Sequence, residues 1–308
     1  MLIYRTNQST NMEYISVICL ITLILFGIVC NTFAIWYLYS KNKKQSIKDK
    51  ITTSLCIINL VQVVGYVVEL YSTVRGNISD SLCEFGATLI CICTYTSIGC
   101  FVALLFVRYM FILYPYKYSW FASKMSATIG FVLPLAYGLF FGTAPLLGWG
   151  RYGRSRVNAT YCGFDFTDKS EKNVSFFFTT LIFTFFLPIM MTIACFAHIL
   201  IELRRTATLF STRFGRRSQI ARESNKRVHE QYIYSLLNFL IYIISWAPYA
   251  VVCSYFYSDR DVSLTLEYFA IYLSKSCTIS SPIIFCLIEK RVCKSFAFTS
   301  FITKFLKT

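Results

Sequence analysis

The stretch IYLSKSCTISSPIIF, residues 271–285, decides how the chain is read. It is an apolar run with one lysine, Lys275, near its middle and one proline, Pro282, near its end. It lies within a longer apolar segment, 264–288, which as a helix is long enough to cross the ~30 Å hydrocarbon core of a bilayer. A charged lysine at the bilayer centre costs about 2.5–3.5 kcal/mol on insertion scales, and Lys275 sits too deep to reach the headgroups. Such a residue carries a role. Removal from water favours the uncharged amine, which is the nucleophile a carbonyl carbon needs for Schiff-base formation. The other reading is a lysine lining a wet cavity and paired with an acid. On this residue alone the two stand level.

Working outward, six more apolar segments precede it, at roughly 14–38, 51–73, 84–113, 126–149, 174–200 and 231–257. The 308 residues are 56% hydrophobic and only 15% charged, with mean hydropathy +0.55, whereas soluble domains carry about a quarter charged residues. Unbroken apolar runs exclude the alternating pattern of a membrane barrel, which leaves helices. The expected fold is all-α, a seven-transmembrane helix bundle in a lipid bilayer. The first segment starts too late and is too long for a cleaved signal peptide, and only Arg5 precedes it as a basic flank. With no repeat or linker, residues 1–308 read as one domain: an extracellular N-terminus over 1–13, helices over about 14–288, and a cytoplasmic tail over 289–308. In that tail basic residues alternate with Phe296, Phe298, Phe301, Ile302 and Phe305, the pattern of a short amphipathic helix in the membrane interface.

Charge sets the orientation. Lys41, Lys43, Lys44, Lys48 and Lys50 follow the first segment. Arg204, Arg205, Arg213, Arg216, Arg217, Arg222, Lys226 and Arg227 follow the fifth, and Lys290, Arg291 and Lys294 the seventh. Those loops are therefore cytoplasmic and the N-terminus outside, as in a plasma-membrane protein. Glycosylation sequons at Asn7, Asn77, Asn158 and Asn173 all fall on the outer side by this rule. The net charge of +15 does not indicate nucleic acid, because the basic residues sit in short loops rather than on a soluble face. Most of the thirteen cysteines lie in apolar runs, where a thiol behaves as a small hydrophobe. With two histidines and no CxxC pairs set against one another, no metal site is expected, nor a catalytic residue set of hydrolytic type. A transporter or channel is disfavoured because no segment looks broken mid-membrane around a polar run.

Further residues narrow the class. Pro188, Pro248 and Pro282 lie inside helices, each removing a backbone hydrogen bond and predicting a kink. Trp246, two residues before Pro248, is thrown inward by such a bend. The third segment ends in Val107, Arg108 and Tyr109, with the arginine at the cytoplasmic mouth. Cys83 opens that segment on the outer side and Cys162 lies in the loop before the fifth, both facing an oxidising compartment that allows a disulfide.

This set resembles the rhodopsin-like G-protein-coupled receptors along nearly the whole chain, and within them the opsins. The opsin resemblance rests on Lys275 standing six residues before Ser281, where opsins have the asparagine of the seventh-helix NPxxY motif. PLLGWGRY (145–152) resembles the end of helix 4 in the peropsin, neuropsin and retinochrome-like branches. YCGFDF (161–166) is similar to the outer-loop segment that plugs the retinal pocket. The resemblance implies retinal bound as a Schiff base to Lys275, with Trp246, Tyr249, Thr184 and Phe185 facing it, and a heterotrimeric G protein docking near Arg108 and Tyr109.

The sequence also departs from the family pattern. The acid before the arginine is Val107, the seventh-helix motif reads Ser281, Pro282, Ile283, Ile284, Phe285, and the helix-2 aspartate aligns with Val64. The usual counterion positions hold Gly86 and, in the outer loop, Arg156, leaving Glu69, Glu84 and Glu267 as counterion candidates. With no acid at the usual places, the Schiff base is expected to be largely unprotonated and ultraviolet-absorbing. Three functions follow: a light-sensing receptor signalling through a G protein, a retinochrome-type photoisomerase, and a receptor for a non-retinal ligand.

Overall fold

The computed structural model describes residues 2–40, 46–76, 79–114, 117–118, 125, 128–154, 162–166, 168–214, 219–257 and 262–288; side chains of 2–11, 203–204 and 206–235 are not described. Seven helical stretches in them are long and apolar enough to span a membrane. α1 is Leu2–Ser40, α2 Ile47–Arg75 and α3 Asp80–Leu113. α4 runs through a π turn, Thr128–Val132, an α-helical stretch, Leu133–Thr143, and a closing 3-10 turn, Ala144–Leu147. A short hairpin, β1 (Tyr152–Arg154) and β2 (Cys162–Phe164), precedes α5, which consists of Glu171–Thr180, a π stretch Leu181–Phe186, and Leu187–Phe214. α6 is Gln219–Tyr257, and α7 is Leu264–Lys275 followed by Cys277–Ile288. The expected tail helix, Arg156, and the sequons at Asn77 and Asn158 lie outside the described residues, as does the side chain of Asn7.

Serines set four of the starts. Ser46 and Asp49 form a reciprocal capping box that begins α2 four residues before the apolar run. Ser79, Ser170 and Ser263 accept backbone N–H groups at the starts of α3, α5 and α7, at 3.3, 3.4 and 3.3 Å. α1 begins at Leu2, so helix already covers most of the residues that precede the first apolar segment. Large apolar side chains such as Ile18, Trp36, Met190 and Ile244 face outward, as a lipid solvent requires.

α3 runs between α2 and α4 and packs along both. Gly138 and Gly142 on α4 make the second contact possible. A Cβ at Gly138 would come within 2.6 Å of the Ile92 carbonyl oxygen, and one at Gly142 within 2.8 Å of Ile92 Cα. This small-xxx-small spacing brings two membrane helices into backbone contact.

The prolines act through the carbonyls they leave unbonded four residues earlier. Pro282 frees Thr278 O, which accepts Nδ2 of Asn31 on α1 at 3.1 Å and Nδ2 of Asn59 on α2 at 3.3 Å. Asn59 also donates to Asn31 Oδ1 at 3.0 Å, so three helices share one neutral polar knot. Pro188 frees Thr184 O, which accepts the Tyr242 hydroxyl of α6. α6 continues as helix through Pro248.

Two expectations are corrected here. Val64 is not the helix-2 residue of the polar network: it is 52% exposed on the lipid side, while Asn59, five residues earlier, is 2% exposed and bonded to α1 and α7. α7 is broken mid-membrane, and the break comes at Ser276 rather than at Pro282. There Ser274 and Ser276 bond carbonyls three residues back, at 2.8 and 2.6 Å, and Ser276 N is shared between Tyr272 O and Leu273 O. Such local bonds compete with the regular i to i−4 ladder.

Gly138→Leu forces α3 and α4 apart, at a cost of about 1–3 kcal/mol or more. We expect thermal unfolding of the detergent-solubilised protein to begin several degrees lower; an unchanged midpoint would contradict the close contact.

Candidate functional site

Lys275 ends the first piece of α7, one residue before the break. Its Nζ meets both carboxylate oxygens of Glu69 on α2. The two side chains are 6% and 4% exposed. Two charges removed from water persist only when their geometry is good and their remaining hydrogen-bonding capacity is met. Here the nitrogen also lies 5.6 Å from the ring centroid of Tyr66 and 5.2 Å from that of Tyr272. The Tyr66 hydroxyl is tied to Thr278 Oγ1 at 2.9 Å, which joins the pair to the polar knot below it.

The three candidate acids separate cleanly. Glu69 is in contact with the lysine. Glu84 is exposed at the outer end of α3, and Glu267 is buried two turns outward on α7. Gly86 packs against α2, where a Cβ would come 2.9 Å from Val68 Cγ1, so an acid at that position would have to displace the Val68 side chain.

The aromatic candidates form a chain across α5, α6 and the outer loop. The Phe185 ring lies 6.5 Å from Tyr242, Tyr242 lies 6.5 Å from Trp246, and Trp246 lies 6.0 Å from Tyr249. Tyr249 continues to Phe166 at 6.4 Å, and Phe166 stacks on Phe256 at 5.6 Å. Trp246, Tyr249 and Phe185 are each half-buried. Thr184 is half-buried too, but its hydroxyl is bonded to Thr180 O at 2.7 Å and its carbonyl to Tyr242. A small cavity lies beside Trp246, lined by polar residues such as Asn59, Gln62, Thr94 and Thr278 and by apolar ones such as Leu55 and Phe101.

The hairpin covers the end of the bundle where α3 begins. Tyr152 pairs with Phe164 and Arg154 with Cys162, and the Cys83–Cys162 disulfide fastens β2 to α3. Tyr152 is buried and donates to the Gly142 carbonyl at 2.8 Å; burial, with Cys91 and Tyr95 close by, pushes its phenol far above the usual range. It therefore remains a donor at any ordinary pH. Asn173 is corrected as a glycan acceptor: it is 1% exposed, and Nδ2 donates to Asp165 O and Asp168 O at 2.6 and 2.8 Å, bracing the loop from beneath.

At the end of the bundle opposite the hairpin, Arg108 is buried and borders a cavity shared with Phe101, Leu105, Pro188, Asn238 and Tyr242. The Tyr109 hydroxyl is 2.8 Å from His198 Nδ1. Val107 packs with Ile47, Ile51 and Leu104, and Phe285 with Leu38 and Cys56, so apolar contacts occupy both departed positions.

Sequence reasoning missed Tyr66, Tyr272 and Tyr242. A signal existed for the first two, since each stands three residues before a buried charge on the same helix, the spacing that shares a helix face. Tyr242 was hidden because its partner is a carbonyl freed by a proline on another helix.

Residues 8–285 match the family 7 transmembrane receptor (rhodopsin family). Melanopsin-A of Gadus morhua is 27% identical over 221 residues, which is 70% of this chain and 39% of that protein. Rhodopsin of Myripristis berndti is 24% identical over 279 residues, 87% of this chain and 76% of that protein. The crystal structure of squid rhodopsin has the same fold, with a TM-score of 0.77 at 18% identity, covering 93% of this chain and 85% of that one. The chain spans well under half of the melanopsin it matches and about three quarters of the rhodopsin. It belongs to the rhodopsin family of seven-transmembrane receptors and is opsin-like within that family.

Proposed function

We propose that the chain is an opsin-type photoreceptor that holds retinal covalently through Lys275 and passes light-driven isomerisation to a heterotrimeric G protein. The observation that carries this reading is an amine buried mid-membrane with a carboxylate beside it. When bound, retinal supplies the absorption of light and the change in double-bond geometry. The chain's residues fit such a group. Lys275 offers the amine, and Glu69 offers the negative charge that its nitrogen needs in a low dielectric. Trp246, Tyr249 and Phe185 offer an apolar wall, and the disulfide-tied hairpin keeps water from the outer side.

Glu69 replaces the ultraviolet expectation. A carboxylate in contact with the nitrogen favours its protonated form and a visible absorption band. Glu84 is too exposed and Glu267 too far along α7 to take that role. The disulfide supports an N-terminus on the oxidising side and, with it, the plasma membrane. The basic segment after α5 and the cavity beside Arg108 support G-protein docking on the opposite face.

A second reading, a photoisomerase of retinochrome type, is favoured by one observation. Val107 and Phe285 sit in apolar clusters where a signalling switch needs polar partners.

Two measurements test these readings. Protein supplied separately with 11-cis and all-trans retinal should give a visible band in wild type and none in Lys275→Ala. Glu69→Gln should bind retinal but absorb in the ultraviolet at neutral pH. Because removing one member of a buried ion pair costs about 3–5 kcal/mol, Lys275→Ala/Glu69→Gln serves as the folded control. No retinal adduct on wild type leaves a receptor for another ligand. Light-dependent nucleotide exchange on a G protein is expected for the receptor; retinal isomer turnover without exchange identifies the isomerase.

A further inference from the structure

Tyr66 and Tyr272 bracket the ion pair from opposite sides. α2 and α7 run antiparallel, and each carries a tyrosine three residues before its charged residue: Tyr66 before Glu69, Tyr272 before Lys275. Because the helices run in opposite directions, Tyr66 lies a turn to the cytoplasmic side of Glu69 and Tyr272 a turn to the outer side of Lys275. Their ring centroids are 5.6 and 5.2 Å from Nζ, within the range where a ring's negative face attracts a cation. Neither ring is loosely held. Tyr66 is fully buried among Leu20 and Leu23 of α1 and anchored through Thr278 Oγ1, while Tyr272 packs on the same cluster and lies 6.2 Å from Tyr268.

We propose that Tyr66 and Tyr272 are positioning residues that, together with Glu69, retain positive charge on the Lys275 nitrogen when retinal is attached to it; this rests on the retinal reading above. Among the described residues, the titratable groups facing that nitrogen include Glu69 and Tyr66 from α2, Cys91 from α3, and Tyr272 from α7 itself, with Cys19 of α1 behind Tyr272. Glu69 is the carboxylate among them, and the two rings add their attraction to it. Their contribution comes from the ring face and not from the hydroxyl. It should survive Tyr→Phe and disappear with an aliphatic side chain.

The test is an alkaline titration of the visible band of retinal-loaded protein. We expect Tyr66→Phe and Tyr272→Phe to lose the band at the wild-type pH within a few tenths of a unit. Tyr272→Leu should lose it about one pH unit lower, a tenfold change in proton concentration. Since Tyr66→Leu opens a cavity in a packed cluster and can unfold the protein, a second series avoids the problem. Phenylalanines with successively more ring fluorines at position 272 keep the shape while draining the ring face, and the midpoint should fall stepwise with each fluorine. Equal midpoints across the fluorinated series, or Phe variants that fall as far as Leu, overturn the inference while leaving retinal binding intact. Failure of wild type itself to take up retinal overturns the retinal reading and this one with it.

Discussion

A carboxylate on α2 and an ammonium on α7 meet where almost no water reaches them, and much of the molecule is arranged around keeping them together. Neither charge is tolerable alone in hydrocarbon, so whatever separates α2 from α7 leaves an unpaired buried ion. The surroundings limit that separation. The Tyr66 hydroxyl joins the pair to Thr278, and the Thr278 carbonyl joins α7 to Asn31 of α1 and Asn59 of α2. One proline makes this possible. Without an N–H at Pro282 the carbonyl four residues back has no partner in its own helix and is open to two asparagines from others.

The same device recurs on the other side of the bundle with a different consequence. Pro188 frees Thr184 O, and Tyr242 of α6 takes it. Tyr242 stands between Phe185 and Trp246 in the aromatic chain, so α5 and α6 are coupled at the level where a chromophore on Lys275 would press against Trp246. The knot of α1, α2 and α7 lies beside the charge pair, and the hydroxyl-to-carbonyl bond of α5 and α6 lies next to Trp246. α1, α2 and α7 share buried polar bonds, whereas the contacts described between α5 and α6 are this hydroxyl bond and ring pairs such as Phe185–Tyr242 and Phe196–Phe239.

Much of this was legible in the sequence. Seven apolar runs gave seven spans whose ends agree within a few residues, because bilayer thickness sets helix length whatever the packing. Lys275 stood out because charge in hydrocarbon is costly in any fold, and Cys83 and Cys162 because the charge rule put both on the same side, where they are now joined as a disulfide. What stayed hidden depended on helix rotation. Val64 and Asn59 are both on α2, and only the packed structure tells which faces α7. The break at Ser276 comes from three-residue-back serine bonds that a proline-based expectation overlooks. Asn173 matches a glycosylation pattern, yet it is used to hold two loop carbonyls, which a three-residue motif cannot reveal. Glu69 was one acid of three until the fold brought it across to α7.

The most direct test of the account is a double-variant cycle on the ion pair, read as thermal unfolding of ligand-free protein in detergent. Glu69→Leu and Lys275→Met each leave one buried charge alone, whereas the combined variant leaves neither. The account predicts that each single change lowers the midpoint and that the combined change recovers most of the loss, a strongly non-additive result. Single effects that simply add would mean that the two side chains do not meet inside the bundle, and the site described here would not exist.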